Sequence, residues 1–96
     1  MILLITDNGI KKEIESKIKD VEHLLEGMLQ DRSVPRNIKK RVQEGLIILK
    51  KAENTPEVIA SNIVYLFNDL SFDSNIAFHS RSTLYRIISI LETIKD

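Results

Sequence analysis

The amino-acid sequence predicts an all-α protein, a four-helix up-and-down bundle made of two similar helical hairpins. Aliphatic residues recur at spacings of three and four along four separate segments, no segment alternates apolar with polar, and only 3 Gly and 2 Pro interrupt the 96 residues. The first of these is the signature of one apolar stripe per helix, and the other two leave no room for a sheet or long loops. The length suits a single domain over residues 1–96, with hairpin one at about 8–53 and hairpin two at about 56–95;.

The first helix is predicted from about Asn8 to Gln30, with Ile14, Ile18, Val21, Leu25 and Met28 on one face and Asp7 or Asn8 capping its free amides;. Residues 1–7 precede it as an apolar segment. Met1-Ile2-Leu3-Leu4-Ile5 is too short to span a membrane and lacks the charged flank of a signal peptide, so it is expected to be hidden against the core or a partner;. Asp31-Arg32-Ser33 breaks the pattern and Val34-Pro35 restarts it, since proline is tolerated where a helix begins;. Helix two then runs to about Glu53 and buries Ile38, Val42, Leu46 and Leu49. Gly45 lies on the same face, where it is expected to serve close helix approach;.

Thr55-Pro56-Glu57 is the clearest helix start: a hydroxyl cap, a proline at the first helical position and a carboxylate at the positive end of the dipole;. Helix three carries Ile59, Ile63, Leu66, Phe67 and Leu70. After the polar break at 71–75, helix four runs from about Ile76 to Ile94 with Leu84, Ile87, Ile88, Leu91 and Ile94 inward.

Sliding the chain by 42 positions brings the two hairpins into register without a gap. Val21 meets Ile63, Leu25 meets Phe67, Asp31 meets Asp73, Val34 meets Ile76, and Val42 meets Leu84. A unit of this length, with Asp in the turn and a basic residue early in the second helix, resembles a HEAT-type repeat, so a HEAT-like pair is the variant reading. Two units are too few for a solenoid, which favours the closed bundle.

Fourteen basic and fourteen acidic residues cancel, so the molecule as a whole lacks the charge footprint of a nucleic-acid binder;. Within the chain, residues 32–51 hold seven cations against Glu44 alone. The absence of cysteine excludes disulfides, thiolate metal sites and a cysteine nucleophile, and fits a cytoplasmic protein;. His23 beside Glu22 and Glu26 has no second copy of the kind that di-metal bundles need, and serines near His79 more often cap a helix than attack a substrate;. No catalytic residue, metal or cofactor is therefore expected.

In an up-and-down bundle the starts of helices two and four share one end. That end gathers Asp31, Arg36, Asn37 and Lys39 from one side and Asp73, Asn75, His79 and Arg81 from the other. Two chemistries suit it: Asp31 and Asp73 pair with Arg36 and Arg81 to tie the hairpins together, or free amides and cations hold an anion. Aliphatic residues spilling off the inner faces, at Ile47, Ile48 and Ile90, point to self-association;. The expected function is a non-enzymatic helical interaction or assembly module, a homodimer and not a membrane protein. The alternative is a phosphate-ligand or RNA binder using the basic start of helix two.

At Asp31-Arg32-Ser33-Val34-Pro35-Arg36-Asn37-Ile38, followed by Asp73-Ser74-Asn75 and His79-Ser80-Arg81-Ser82, the chain resembles an uncharacterised family of short archaeal helical proteins. It differs from that family's pattern at Ser74 and Ala77, where the family carries proline, and at Tyr85, where tryptophan is common. The resemblance implies a four-helix bundle, no established activity, and the polar end as the place to look.

Overall fold

A computed structural model describes residues 2–94, with the side chains of residues 2–8 and 10 outside the description. It contains four α-helices: α1 (Ile2–Gln30), α2 (Arg36–Lys51), α3 (Pro56–Phe67) and α4 (Phe78–Glu92), with a 3-10 turn at Leu70–Phe72. Successive helices pack against each other and α1 also packs against α4, so the four close into a ring. One aliphatic cluster fills it, with Val21, Leu25, Ile38, Val42, Ile63, Phe67, Leu84 and Ile87 fully buried. Each of these sits where the spacing of three and four puts it.

Helix boundaries follow local chemistry. Thr55 caps α3 as expected, its hydroxyl accepting from the Val58 amide at 3.4 Å, with Pro56 in the first turn. The starts of α2 and α4 have no side-chain cap, because Pro35 and Ala77 occupy the capping positions. Helix two ends at Lys51, two residues short of its expected end, where Ala52 turns into the left-handed region with φ 48.

Helix one departs most from expectation. It begins at Ile2, so Asp7 and Asn8 lie inside a helix and cap nothing. Leu and Ile are good enough helix formers for the run to continue through Thr6-Asp7-Asn8-Gly9. The expected burial of residues 1–5 concerns side chains outside the described residues. At 1.5 Å per residue a 29-residue helix spans roughly 43 Å, against roughly 24 Å for the 16 residues of α2;. Lys50 of α2 reaches only to Glu22 (3.9 Å), so the first half of α1 runs on past its neighbours, and the molecule measures 52 × 23 × 21 Å.

Candidate functional site

Each hairpin turn is built on an aspartate that folds back on its own chain. Asp31 Oδ1 accepts from the Ser33 amide at 2.9 Å and from the Ser33 hydroxyl at 2.7 Å. Asp73 Oδ1 accepts from the Asn75 amide at 2.8 Å, the same bond 42 residues later. The main chain follows suit: Val34 N donates to Asp31 O and Ile76 N to Asp73 O, then Lys39 N to Pro35 O and Arg81 N to Ala77 O. Short polar side chains at this position favour such turns because they replace a missing backbone partner.

The second oxygen of each aspartate reaches across to the other hairpin. Asp31 Oδ2 lies 2.8 Å from His79 Nε2 at the start of α4, and Asp73 Oδ2 accepts from Asn37 Nδ2 at 3.3 Å at the start of α2. Positions 37 and 79 are again 42 apart, so the two hairpins exchange equivalent bonds in both directions. A reciprocal exchange requires a rotation between the units. Units stacked by translation, as in a HEAT array, would make one of these contacts and not its converse.

The structure thus brings Asp31, Asn37, Asp73, Asn75 and His79 together at one end. Arg81 joins them differently from expectation, its Nη2 donating to the Asp73 carbonyl at 3.1 Å while its Nε is buried without a partner. Asp31 takes His79 as its cross-hairpin partner where Arg36 was expected. His79 and Asn37 stand on first turns that point at the opposite aspartate, whereas the exposed Arg36 side chain starts its own helix. Among the described residues Arg36, Lys39 and Lys40 form no ion pair.

Asp, Ser and His together invite comparison with a hydrolase triad, and the geometry argues against it. A triad needs the two imidazole nitrogens to serve different partners, one the nucleophile and one the carboxylate. Here the single nitrogen Nε2 lies near both Asp31 and Ser33 Oγ (3.1 Å), and the Ser33 hydroxyl gives its proton to Asp31 directly. The bonds instead stabilise a carboxylate. The Ser33 hydroxyl, then the Ser33 amide, then His79 hold the Asp31 carboxyl down at about 2 from an ordinary 3.8;. Ser80 is 2% exposed, with its hydroxyl unpartnered in the core. Neither group presents an activated nucleophile. No cluster able to hold a metal occurs among the described residues, and no helix there is long and apolar enough to cross a membrane.

A second feature was not foreseen. All five aromatic residues lie in hairpin two, and four are on the surface: Tyr65 is 86% exposed, Phe72 80%, Phe78 83% and Tyr85 53%. On α4, Phe78, Ser82, Tyr85 and Ser89 follow at spacings of four, three and four, and all are exposed, as are Ser61, Tyr65 and Asn68 on α3;. The named positions are uncharged, and the α4 stripe continues to the exposed Glu92, with the exposed Arg86 next to Tyr85. The positions 42 earlier than the α4 stripe are Arg36, Lys40, Gln43 and Ile47. Reading hairpin two against hairpin one position by position would have shown this contrast in the sequence. Around Ile47, among the described residues, lie open grooves of about 340 and 300 Å³, each bordered by Lys51.

Comparison with known proteins agrees with this architecture. Residues 6–94 match the profile of an uncharacterised protein family, UPF0147. A UPF0147 protein of Saccharolobus solfataricus is 38% identical over 82 residues, covering 85% of this chain and 92% of the relative. One from Desulfurococcus amylolyticus is 37% identical, with 85% and 90% covered. Among solved structures, a crystal structure of a protein from uncharacterised family UPF0147 from Thermoplasma acidophilum superposes with a TM-score of 0.81 at 26% identity. That match covers 88% of this chain and 99% of the other.

Proposed function

The chain belongs to the uncharacterised protein family UPF0147, a membership that brings a fold and no activity, and from the surface we propose a non-enzymatic module that docks protein through the outer face of α3 and α4. The observation that carries this reading is the exposure of Phe78 and Tyr85 on α4 and of Tyr65 on α3. Aromatic enrichment with charge depletion marks the centre of protein interfaces. The reading moves the interface away from Ile47, Ile48 and Ile90. Ile48 and Ile90 are already half-buried within the ring, and Ile47 stands among lysines. A cytoplasmic location belongs to the same proposal and is supported by the absence of cysteine;.

A photo-cross-linking residue in place of Phe78, compared with one in place of Arg36, tests the docking face in native extract treated with nuclease. Protein adducts from position 78 alone are expected. Adducts from position 36 alone would reject the reading.

One observation favours a second reading, a phosphate-ligand or RNA binder using Arg36, Lys39, Lys40 and Arg81. Phe72 and Phe78 are bare at the same end as those cations, and aromatic side chains beside cations suit single-stranded nucleic acid;. The Asp31 and Asp73 carboxylates at that end oppose it. RNA affinity falling with salt at a slope of roughly −0.7 per phosphate contact would support this alternative, and an affinity indifferent to salt would remove it.

A further inference from the structure

We propose that the link between the hairpins is a hinge, and that opening it lets this chain exchange hairpins with a second copy of itself. Hairpin one of each copy then seats hairpin two of the other, giving a two-fold dimer of two complete bundles. The surface that takes the second copy is the inner face each hairpin already shows its mate. The closed chain therefore displays the fit: the shared aliphatic cluster, Asp31 against His79, and Asn37 against Asp73. The proposal stands apart from the docking face on α3 and α4.

The link is built to open. Ala52, Glu53, Asn54 and Thr55 are all exposed, and Glu53 and Asn54 border the open groove of about 300 Å³ instead of entering the core. Among the described residues, the hydrogen bonds of the link stay within one hairpin. Ala52 N donates to Ile48 O, Thr55 Oγ1 accepts from Val58 N, and Thr55 O accepts from Ile59 N. None of these is lost when the hairpins part. The bonds that do cross, at Asp31 and Asp73, lie at the far end of the bundle, where α2 and α4 start.

One residue turns the chain back. Ala52 has φ 48 and ψ 45, and it is the sole non-glycine residue of positive φ among the described ones. Thr55 is already extended at φ −65 and ψ 154, as suits a residue before proline;. Straightening the link therefore moves Ala52 out of a region that disfavours any residue with a Cβ. An exchanged dimer relieves two such alanines, and at about fivefold each they favour it by about thirtyfold. The remaining contacts are the same set, made between chains. A short link holds its hairpins at an effective concentration on the order of 1 mM, so a dissociation constant on the order of 30 µM follows. Each exchanged particle carries two α3–α4 faces, and the hinge sets how many such faces arrive together.

Opening separates the two halves of the core, so exchange is slow, and samples are annealed near the unfolding midpoint and cooled before sedimentation equilibrium. The unaltered chain is expected to be half dimer at about 30 µM. Ala52→Gly, which removes the strain from the closed form, is expected to weaken the dimer about thirtyfold. Deleting residues 52–54 leaves Thr55 alone, fewer than the roughly two to five residues of a helical hairpin turn, and is expected to give dimer throughout;. The chain has no cysteine, so Asn37→Cys annealed with Asp73→Cys reports the exchange. A short bis-maleimide is expected to join the two chains above the level of an unannealed mixture. A chain still monomeric after annealing at several times that concentration, a dimer equally strong in Ala52→Gly, or a 37–73 cross-link that annealing does not raise would each overturn the proposal. So would a shortened chain that is helical and monomeric. If the shortened chain loses its helical signal, the comparison with Ala52→Gly decides.

Discussion

Hairpin one and hairpin two share an interior and a polar end, and differ in the rest of what they show to solvent. Residues 1–53 hold 20 of the 28 charged side chains, and residues 54–96 hold 8 of them with all five aromatics. The buried Val34 and Ile76 and, at the exposed polar end, the aspartate turns and the exchanged bonds to Asn37 and His79 repeat at 42 residues. Cohesion of the bundle demands like interiors, whereas solubility can be met by either exterior. The contrast between charged and aromatic surfaces is therefore not imposed by the fold.

The interiors are not identical, and the largest expected effect tests where they part. Phe67 and Gly45 stand where the other hairpin has Leu25 and Ile87, a large–small pair against two aliphatics of middle size. A Cβ on Gly45 would lie 2.5 Å from Phe67 Cζ, so the glycine is the space the ring occupies. Phe67→Ala should lower unfolding stability by about 3–5 kcal/mol in urea titration. Gly45→Ala should lower it by about 1–3 kcal/mol despite the better helix propensity of alanine. Combined with Phe67→Leu, the glycine replacement should cost less than the two single losses together, which a double-mutant cycle measures. Strict additivity would show that the ring and the glycine do not share one space.

Smaller changes sharpen the comparison. Ser80 sits where hairpin one has the fully buried Ile38, and its hydroxyl has no partner. Removing a buried, unsatisfied hydroxyl should stabilise, so Ser80→Ala is expected to raise the urea midpoint, by about 1 kcal/mol of stability. A loss would mean that the hydroxyl is satisfied in solution. Ala52 closes α2 in the left-handed region, which costs a residue with a side chain about 1 kcal/mol;. Ala52→Gly should recover about that amount in thermal unfolding.

The smallest expected effect concerns acid. Asp31 has its folded pKa depressed to about 2, so its contribution is complete above 3.8 and is lost as pH falls from there through about 2;. Asp31→Asn should flatten that part of a urea-midpoint profile. An unchanged slope would mean that the Ser33 and His79 bonds do not favour the charged form. The group is exposed enough for water to compete, which keeps the effect small.

Much of this was readable from spacing. The buried stripes, the Thr55 cap, the shared polar end and the 42-residue register all follow from residue order, because helix period and capping are local. The partners of Asp31 and Asp73 were not read correctly. Charge alone suggested Arg36 and Arg81, while direction selected His79 and Asn37. The register held the missing information, since a rotation applied to it relates 31–79 to 73–37. Asp7 and Asn8 look like caps in the sequence, yet α1 begins at Ile2 and carries both within the helix. Bare Phe72 and Phe78 were missed because apolar character predicts burial, and exposure depends on what lies opposite.

The exchange between the aspartate turns also limits how this chain can grow. Each hairpin spends its mating surface on the other, so a third unit would arrive to find both seats taken. Lengthening is confined to free ends, and the one long extension, the run of α1 before Ile14, is the stretch with no counterpart in hairpin two. Rotation makes the order of the halves interchangeable as well. The four residues 52–55 joining α2 to α3 bridge the same kind of gap that separates the end of α4 from the middle of α1. A gene rearranged to begin at Pro56, with a similar bridge after Ile94 leading into α1 at Ile14 and the preceding extension omitted, should encode the same ring in a new reading order.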